Sequence, residues 1–157
     1  AHASELGIVV NCMVLDDLER APEIEQMADQ LGDLPIVIDH CFMLNASNLA
    51  QRFTLEAKLA ALDRLAIRPN VYAKLTPGTH GSGRVYPHED MHGPLQEVIG
   101  YFGPERCVWG SNFPNALWSR GTSYVQNLTL FTEELGLNVA EREAILGGTA
   151  MGLWFTN

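Results

Sequence analysis

Long hydrophobic runs are missing: no stretch of this sequence approaches the roughly 18 consecutive apolar residues of a membrane-spanning helix. The opening residues Ala1-His2-Ala3-Ser4-Glu5 carry neither a basic stretch nor an apolar one, so no signal peptide is expected. Cysteine is scarce, with only Cys12, Cys41 and Cys107 and no C-x-x-C pair. An odd, widely spaced set argues against a disulfide framework and for buried thiols in a reducing compartment, so a cytoplasmic location is expected. Basic residues are outnumbered, 10 Lys and Arg against 19 Asp and Glu, for a formal charge of −9. No nucleic acid or membrane partner is expected of so acidic a chain, although a pocket can be locally positive toward an anionic substrate. Low-complexity tracts and linkers are absent, and the glycosylation-like triplets Asn45-Ala46-Ser47 and Asn127-Leu128-Thr129 are read as chance matches.

What remains is a globular composition, 46% hydrophobic over 157 residues, which suits one domain spanning 1–157 with a real core. Four apolar runs rich in β-branched or aromatic residues read as buried strands: Gly7–Val14, Pro35–Cys41, Asn70–Thr76 and Cys107–Ser111. They begin roughly 30–40 residues apart, too far for hairpins and right for strand–helix–strand crossovers. Helical periodicity fills the gaps: Leu18 to Leu31, Leu55 to Ala66, Leu95 to Phe102, Tyr124 to Leu135, and a last helix opened by Asn138 as N-cap with Glu141 behind it. Pro94 is expected at the first position of its helix. The order βαβαβαβα predicts a parallel α/β sheet. A (β/α)8 barrel needs about 250 residues, so the chain is either a small open sheet or half of a barrel, and an opening that reads as a helix tail running into a strand favours the half barrel.

Strand alternation sorts the side chains. Val9, Asn11 and Met13 are expected to point into the barrel, with Ile8, Val10, Cys12 and Val14 under the helices. Ile36, Ile38 and His40 fall on one face of their run, opposite Val37, Asp39 and Cys41. Burying Lys74 beneath helices would cost several kcal/mol, so Lys74 and Thr76 are placed at the barrel mouth. His40, Lys74, Thr76 and Asn112 all fall at carboxyl ends of strands, where α/β enzymes hold their chemistry. The loop from Thr76 to His92, with His80 and Arg84, follows a strand and reads as a substrate loop. Cys41, on the face opposite His40, is expected to be a buried thiol and not half of a Cys–His dyad.

Four segments in order carry a resemblance: Pro35-Ile-Val-Ile-Asp-His40, Asn70-Val-Tyr-Ala-Lys-Leu-Thr76, Phe102-Gly-Pro-Glu-Arg-Cys-Val-Trp-Gly-Ser-Asn-Phe-Pro114 and Ile145-Leu-Gly-Gly-Thr-Ala150. Together they resemble the amidohydrolase-related branch of the amidohydrolase superfamily, (β/α)8 barrels that include lactonases and decarboxylases. The resemblance implies that this chain holds strands 5–8 of the barrel. It implies an amidohydrolase-like hydrolase acting on a carbonyl, lactone or carboxylate of a small organic acid, by water attack or related decarboxylation.

Within that resemblance His40 matches a functional histidine, Met13 stands nearest a second family histidine, and Asn112 stands where the family carries an aspartate. Catalytic roles are therefore expected for His40, polarising a carbonyl or moving a proton, and Asn112, positioning water or substrate. Asn11, Lys74, Thr76, His80 and Arg84 are the expected substrate contacts. No metal site is expected from these residues; His40 would be the one ligand if a zinc or manganese site existed, the others coming from missing strands. The expected partners are a small-molecule substrate and either further copies of the chain or the missing N-terminal half barrel.

Two alternatives stand beside this reading. One is a non-catalytic or degenerate barrel fragment that serves in binding or assembly. The other is a zinc protease through His88-Glu89-Asp90-Met91-His92, which needs both histidines on one helix face and a third ligand downstream.

Overall fold

The structure, a computed structural model, describes residues 2–47, 51–76, 81–114 and 121–155. A short helix α1 (His2–Glu5) leads into β1 (Val10–Cys12), followed by α2 (Ala21–Gln30), β2 (Ile36–Ile38), α3 (Leu55–Ala66), β3 (Val71–Leu75), α4 (Glu89–Phe102) and β4 (Cys107–Trp109). Behind β4 come α5 (Tyr124–Thr129), α6 (Val139–Glu143) and α7 (Thr149–Trp154), with π-helical turns at Leu130–Glu134 and Ala144–Gly148 between them. The four strands form one sheet in the order β1-β2-β3-β4, every pair parallel. This is the βα alternation expected from the sequence, with strands trimmed to their apolar centres.

Register fixes which side chains share a face. Asn11, Val37 and Tyr72 are matched across three strands, and Lys74 is matched with Val108. The opposite face, Ile36, Ile38, Val71, Ala73, Leu75 and Cys107, merges with Leu62, Leu65, Val98 and Phe102 of the helices into the core. Sequence alternation placed Asn11 and Lys74 correctly on the side away from that core. Helix starts are equally local: Thr54, Ser123 and Asn138 each accept from a backbone N–H in the first turn, and Ser123 and Asn138 complete capping boxes with Gln126 and Glu141.

One helix boundary differs from expectation. Helix α4 begins at Glu89, so Pro94 sits inside it and not at its first position. Only one intrahelical bond is lost this near the amino end, and Gly93 before the proline has no Cβ to clash with its ring.

Candidate active site

The carboxyl end of β2 makes an unusual turn. Residues Asp39–Phe42 form a helical turn in which His40, Cys41, Phe42 and Met43 all have positive φ, between 47° and 57°. Non-glycine residues pay roughly 1–2 kcal/mol each for this conformation, so something must hold it. Phe42 is fully buried, the Cys41 thiol donates to the Lys74 carbonyl at 3.4 Å, and Leu44 N–H returns to the His40 carbonyl at 3.2 Å. Lys58, 1% exposed, reaches up from α3 to donate to the Met43 carbonyl at 2.9 Å. Strain concentrated at one strand end is the kind found at functional sites.

The turn also breaks strand alternation, which correctly fails here. Asp39 and His40, expected on opposite faces, reach the same group of side chains. His40 Nδ1 lies 3.1 Å from Thr76 Oγ1. The Lys74 ammonium lies 2.7 Å from Asp39 Oδ1, and His40 Nε2 lies 3.8 Å from that same oxygen. The side chains of His40 and Asp39 are 11% and 14% exposed, and that of Lys74 is 30% exposed. Burial holds the His40 imidazole below its ordinary pKa; Asp39 pulls it upward and Lys74 pushes it down further. Burial thus disfavours the protonated ring. Beside the group lies Gly110, just past β4, whose absent Cβ would stand 2.7 Å from Lys74 Cε and 3.6 Å from Thr76 Cγ2. Glycine here leaves the room that Lys74 occupies.

The other expected site residues have separate places. Asn112 follows β4 by three residues with φ at 53°, a left-handed conformation that asparagine tolerates better than most residues. Asn11 is exposed on β1, and Met13 beyond it is 57% exposed. Arg84 is exposed and paired with Glu89 at 3.0 Å. His80 lies outside the described residues. Cys41 is buried, and burial pushes its thiol well above its ordinary pKa, so it offers no nucleophile. Asp39 was not among the expected site residues, and neither was Lys58 among the buried ones. No local pattern announces a left-handed turn built from ordinary residues.

The zinc-protease alternative does not assemble. His88 caps α4 from a buried position, with Nδ1 3.0 Å from the Arg84 carbonyl and Nε2 3.1 Å from Thr122 Oγ1. His92 Nε2 lies 2.8 Å from the Pro87 carbonyl, and Glu89 is tied to Arg84. These histidines pin the loop after β3 to α4 and to the approach to α5.

A family model described as amidohydrolase matches residues 2–156. The chain belongs to the amidohydrolase family. It is 34% identical over 96 residues to the L-fucono-1,5-lactonase of Burkholderia multivorans, a match covering 58% of this chain and 32% of the lactonase. A solved B. multivorans amidohydrolase with bound zinc superposes with a TM-score of 0.82 at 24% identity, covering 99% of this chain and 55% of that one. At that identity the likeness speaks for the fold alone. A candidate 2-pyrone-4,6-dicarboxylic acid hydrolase from Pseudomonas putida superposes with a TM-score of 0.70 at 25% identity, covering 96% and 52%. This amidohydrolase chain thus spans about half the length of the solved relatives, and its four strands are part of a barrel.

Zinc in one solved relative invites a test of the donor set here. Among the described residues no three His, Cys, Asp or Glu side chains come together. The pair at the strand ends, Asp39 and His40, shares its space with the Lys74 ammonium, which repels a cation. The described residues of this chain do not by themselves fit a divalent metal.

Proposed function

We propose that this amidohydrolase chain forms the carboxyl-terminal part of a hydrolase for lactones or related carbonyl compounds of small organic acids. The observation that carries the reading is the convergence of Asp39, His40, Lys74 and Thr76 at the carboxyl ends of β2 and β3, in a chain 34% identical over 96 residues to a sugar-acid lactonase. Hydrolysis needs a donor that polarises the carbonyl and a group that holds water. His40 and Lys74 supply N–H donors. Asn112, neutral where the family carries aspartate, holds water or substrate by hydrogen bonds but cannot serve as a carboxylate base. Decarboxylation of a related acid draws on the same donors.

Catalysis in this reading requires a complementary set of parallel βα units. Edge strands β1 and β4 offer unpaired backbone to such a partner, and exposed apolar side chains adjoin both in sequence: Ile8, Met13 and Leu15 at one, Phe113 at the other. The partner is the rest of the barrel or a second copy of this chain. Three free cysteines suit a cytoplasmic setting; no described helix is long and apolar enough to cross a membrane.

The test is proton release from L-fucono-1,5-lactone and other sugar lactones. The chain is assayed alone and together with the remaining strands of a full-length barrel. Turnover is expected only in the combination and is lost on His40→Ala. If the combination assembles and stays inactive, the second reading takes over: a barrel fragment for binding or assembly.

A further inference from the structure

We infer that Asp39 is a specificity-determining residue: its carboxylate holds the Lys74 ammonium as a donor to an uncharged carbonyl oxygen and keeps carboxylates away from it, so that the site takes a neutral lactone in preference to the hydroxy acid anion that hydrolysis makes. The inference rests on the functional reading above for the class of substrate. In lactone hydrolysis the oxygen of water bonds to the carbonyl carbon and the bond to the ring oxygen breaks. One proton of the water stays on the ring oxygen as a hydroxyl, and the other leaves as the carboxylate forms. A lysine with no counter-charge beside that carbon would hold the anion more tightly than the ester and so retard its release.

Sheet register builds the pair. Val37 of β2 is matched with Tyr72 of β3, so Asp39 and Lys74, each two residues further on, are the next positions of the same inward face. The Lys74 ammonium lies 2.7 Å from Asp39 Oδ1. Asp39 is the more enclosed of the two, and Oδ1 itself is buried. A ligand entering from the mouth therefore meets the ammonium, with the carboxylate behind it. An ammonium carries three protons. Among the described residues Lys74 Nζ has no hydrogen bond or ion pair besides Asp39, so N–H donors remain for a ligand. The lysine stem rests against Gly110, where a Cβ would stand 2.7 Å from Cε. Stem and head are both held, on β4 and β2 sides.

Charge decides which ligand those donors take. Asp39 and Lys74 cancel. Asn112 is neutral. In the described loops beyond the strands, Arg20, Arg52 and Arg84 are paired with Glu23, Glu19 and Glu89 at 2.9, 2.8 and 3.0 Å. Among the described residues, then, the mouth offers an anion no lysine or arginine without its own carboxylate. A carboxylate drawn to Lys74 comes within a few ångströms of the Asp39 charge, and like charges disfavour that approach. A lactone carbonyl brings a dipole and no net charge, and asks only for an N–H donor.

Lys58 and Lys74 are the two lysines of the chain, which makes a test without turnover direct. With lysine labelled by 13C at Cε, the folded chain gives one signal from each, and Lys58, buried with partners of its own, marks an intact fold. Spectra are taken at about pH 8, where an ordinary histidine is neutral. The Lys74 signal is expected away from its position in the urea-unfolded chain. L-fucono-1,5-lactam, a neutral analogue that water does not open, should move it. Sodium L-fuconate should move it no more than sodium chloride at equal ionic strength. Asp39→Asn should leave the Lys58 signal in place and open saturable L-fuconate binding at Lys74, at least about tenfold tighter than in the unmodified chain. Asp39→Glu, which keeps the charge, should exclude L-fuconate again, a rescue that packing alone would not give. An unmodified chain whose Lys74 signal answers L-fuconate as strongly as the lactam, or answers neither, overturns the proposal. So does a folded Asp39→Asn chain that binds L-fuconate no better. If Asp39→Asn does not fold, the preference of the unmodified chain still decides. Lactone turnover tests the functional reading and these titrations test the selection, so each can fail alone.

Discussion

Replacing Lys58 by methionine should loosen the turn that carries His40. The ammonium is 1% exposed and has three partners: Asp16 Oδ1 at 2.8 Å, the Met43 carbonyl at 2.9 Å and Gln51 Oε1 at 3.0 Å. Methionine keeps the buried stem and its apolar contacts, so packing changes little. The loss is polar. A buried acceptor left without a donor costs about 1–3 kcal/mol, and the Met43 carbonyl has no simple replacement. Asp16 is different: its side chain is 30% exposed and regains water, so the ion pair itself adds only about 0–1 kcal/mol. The sum is about 1–4 kcal/mol, centred below the 3–5 kcal/mol typical when a fully buried pair is broken.

Urea unfolding at matched protein concentration should show a lower midpoint with an unchanged slope. At roughly 2–4 °C per kcal/mol for a chain of this size, Tm should fall by about 2–16 °C. The effect should also depend on pH. Burial pushes the Asp16 carboxyl up, but bonds from Lys58 and the Arg52 N–H outweigh it and leave the group below its ordinary value of 3.8. A lowered carboxyl stabilises the fold above its unfolded pKa, and that stability is lost as pH falls through the folded value. The gap between Lys58→Met and the unmodified chain should therefore narrow in acid. A loss below about 0.5 kcal/mol at pH 7 would refute the role given to Lys58, since that is the scatter of ordinary surface changes.

Three further outcomes are expected. Gly110→Ala places a Cβ against the flexible tip of Lys74, so the urea midpoint should stay within about 0.5 kcal/mol while lactone turnover of the assembled barrel falls at least about tenfold; an unchanged rate would show that the lysine is not held there for chemistry. The His40 imidazole is held below its ordinary pKa of 6.5, so its contribution to stability is complete above that pH, declines as pH falls toward the folded value and is constant below it; chemical denaturation between pH 5 and 8 should show this decline, and His40→Gln should remove it. The purified chain should hold well under one equivalent of zinc or manganese by elemental analysis, and Asn112→Asp should raise affinity only when strands from outside this chain supply histidines. Zinc bound tightly and lost on His40→Ala would instead make the mouth of this sheet a metal site.

The sequence by itself determined the architecture, because the architecture is written in periods. Apolar runs of Val, Ile and Leu, the three-and-four spacing of Leu55, Leu59 and Leu62, and caps such as Asn138 with Glu141 are local and repeat in each unit. Alternation along β1 and β3 also put Asn11 and Lys74 on the side away from the helices, as the parallel register requires. Strand-end placement made His40, Lys74 and Thr76 candidates, and the fold brings those three together. Asp39 was within reach of the same alternation, standing two residues beyond Val37 as Lys74 stands two beyond Tyr72, its register partner. The approach of His40 to that face was not, since it depends on four successive left-handed residues beginning with His40 itself, a conformation that local sterics oppose and that the burial of Phe42, the Cys41–Lys74 contact and the Lys58 hook make tolerable. The same holds for Lys58, whose charge reads as a solvated helix face until three segments distant in sequence close around it. Periodic patterns are set by each segment alone and survive in the text. The site is set by contacts between segments, whose energies exist only once the strands are side by side.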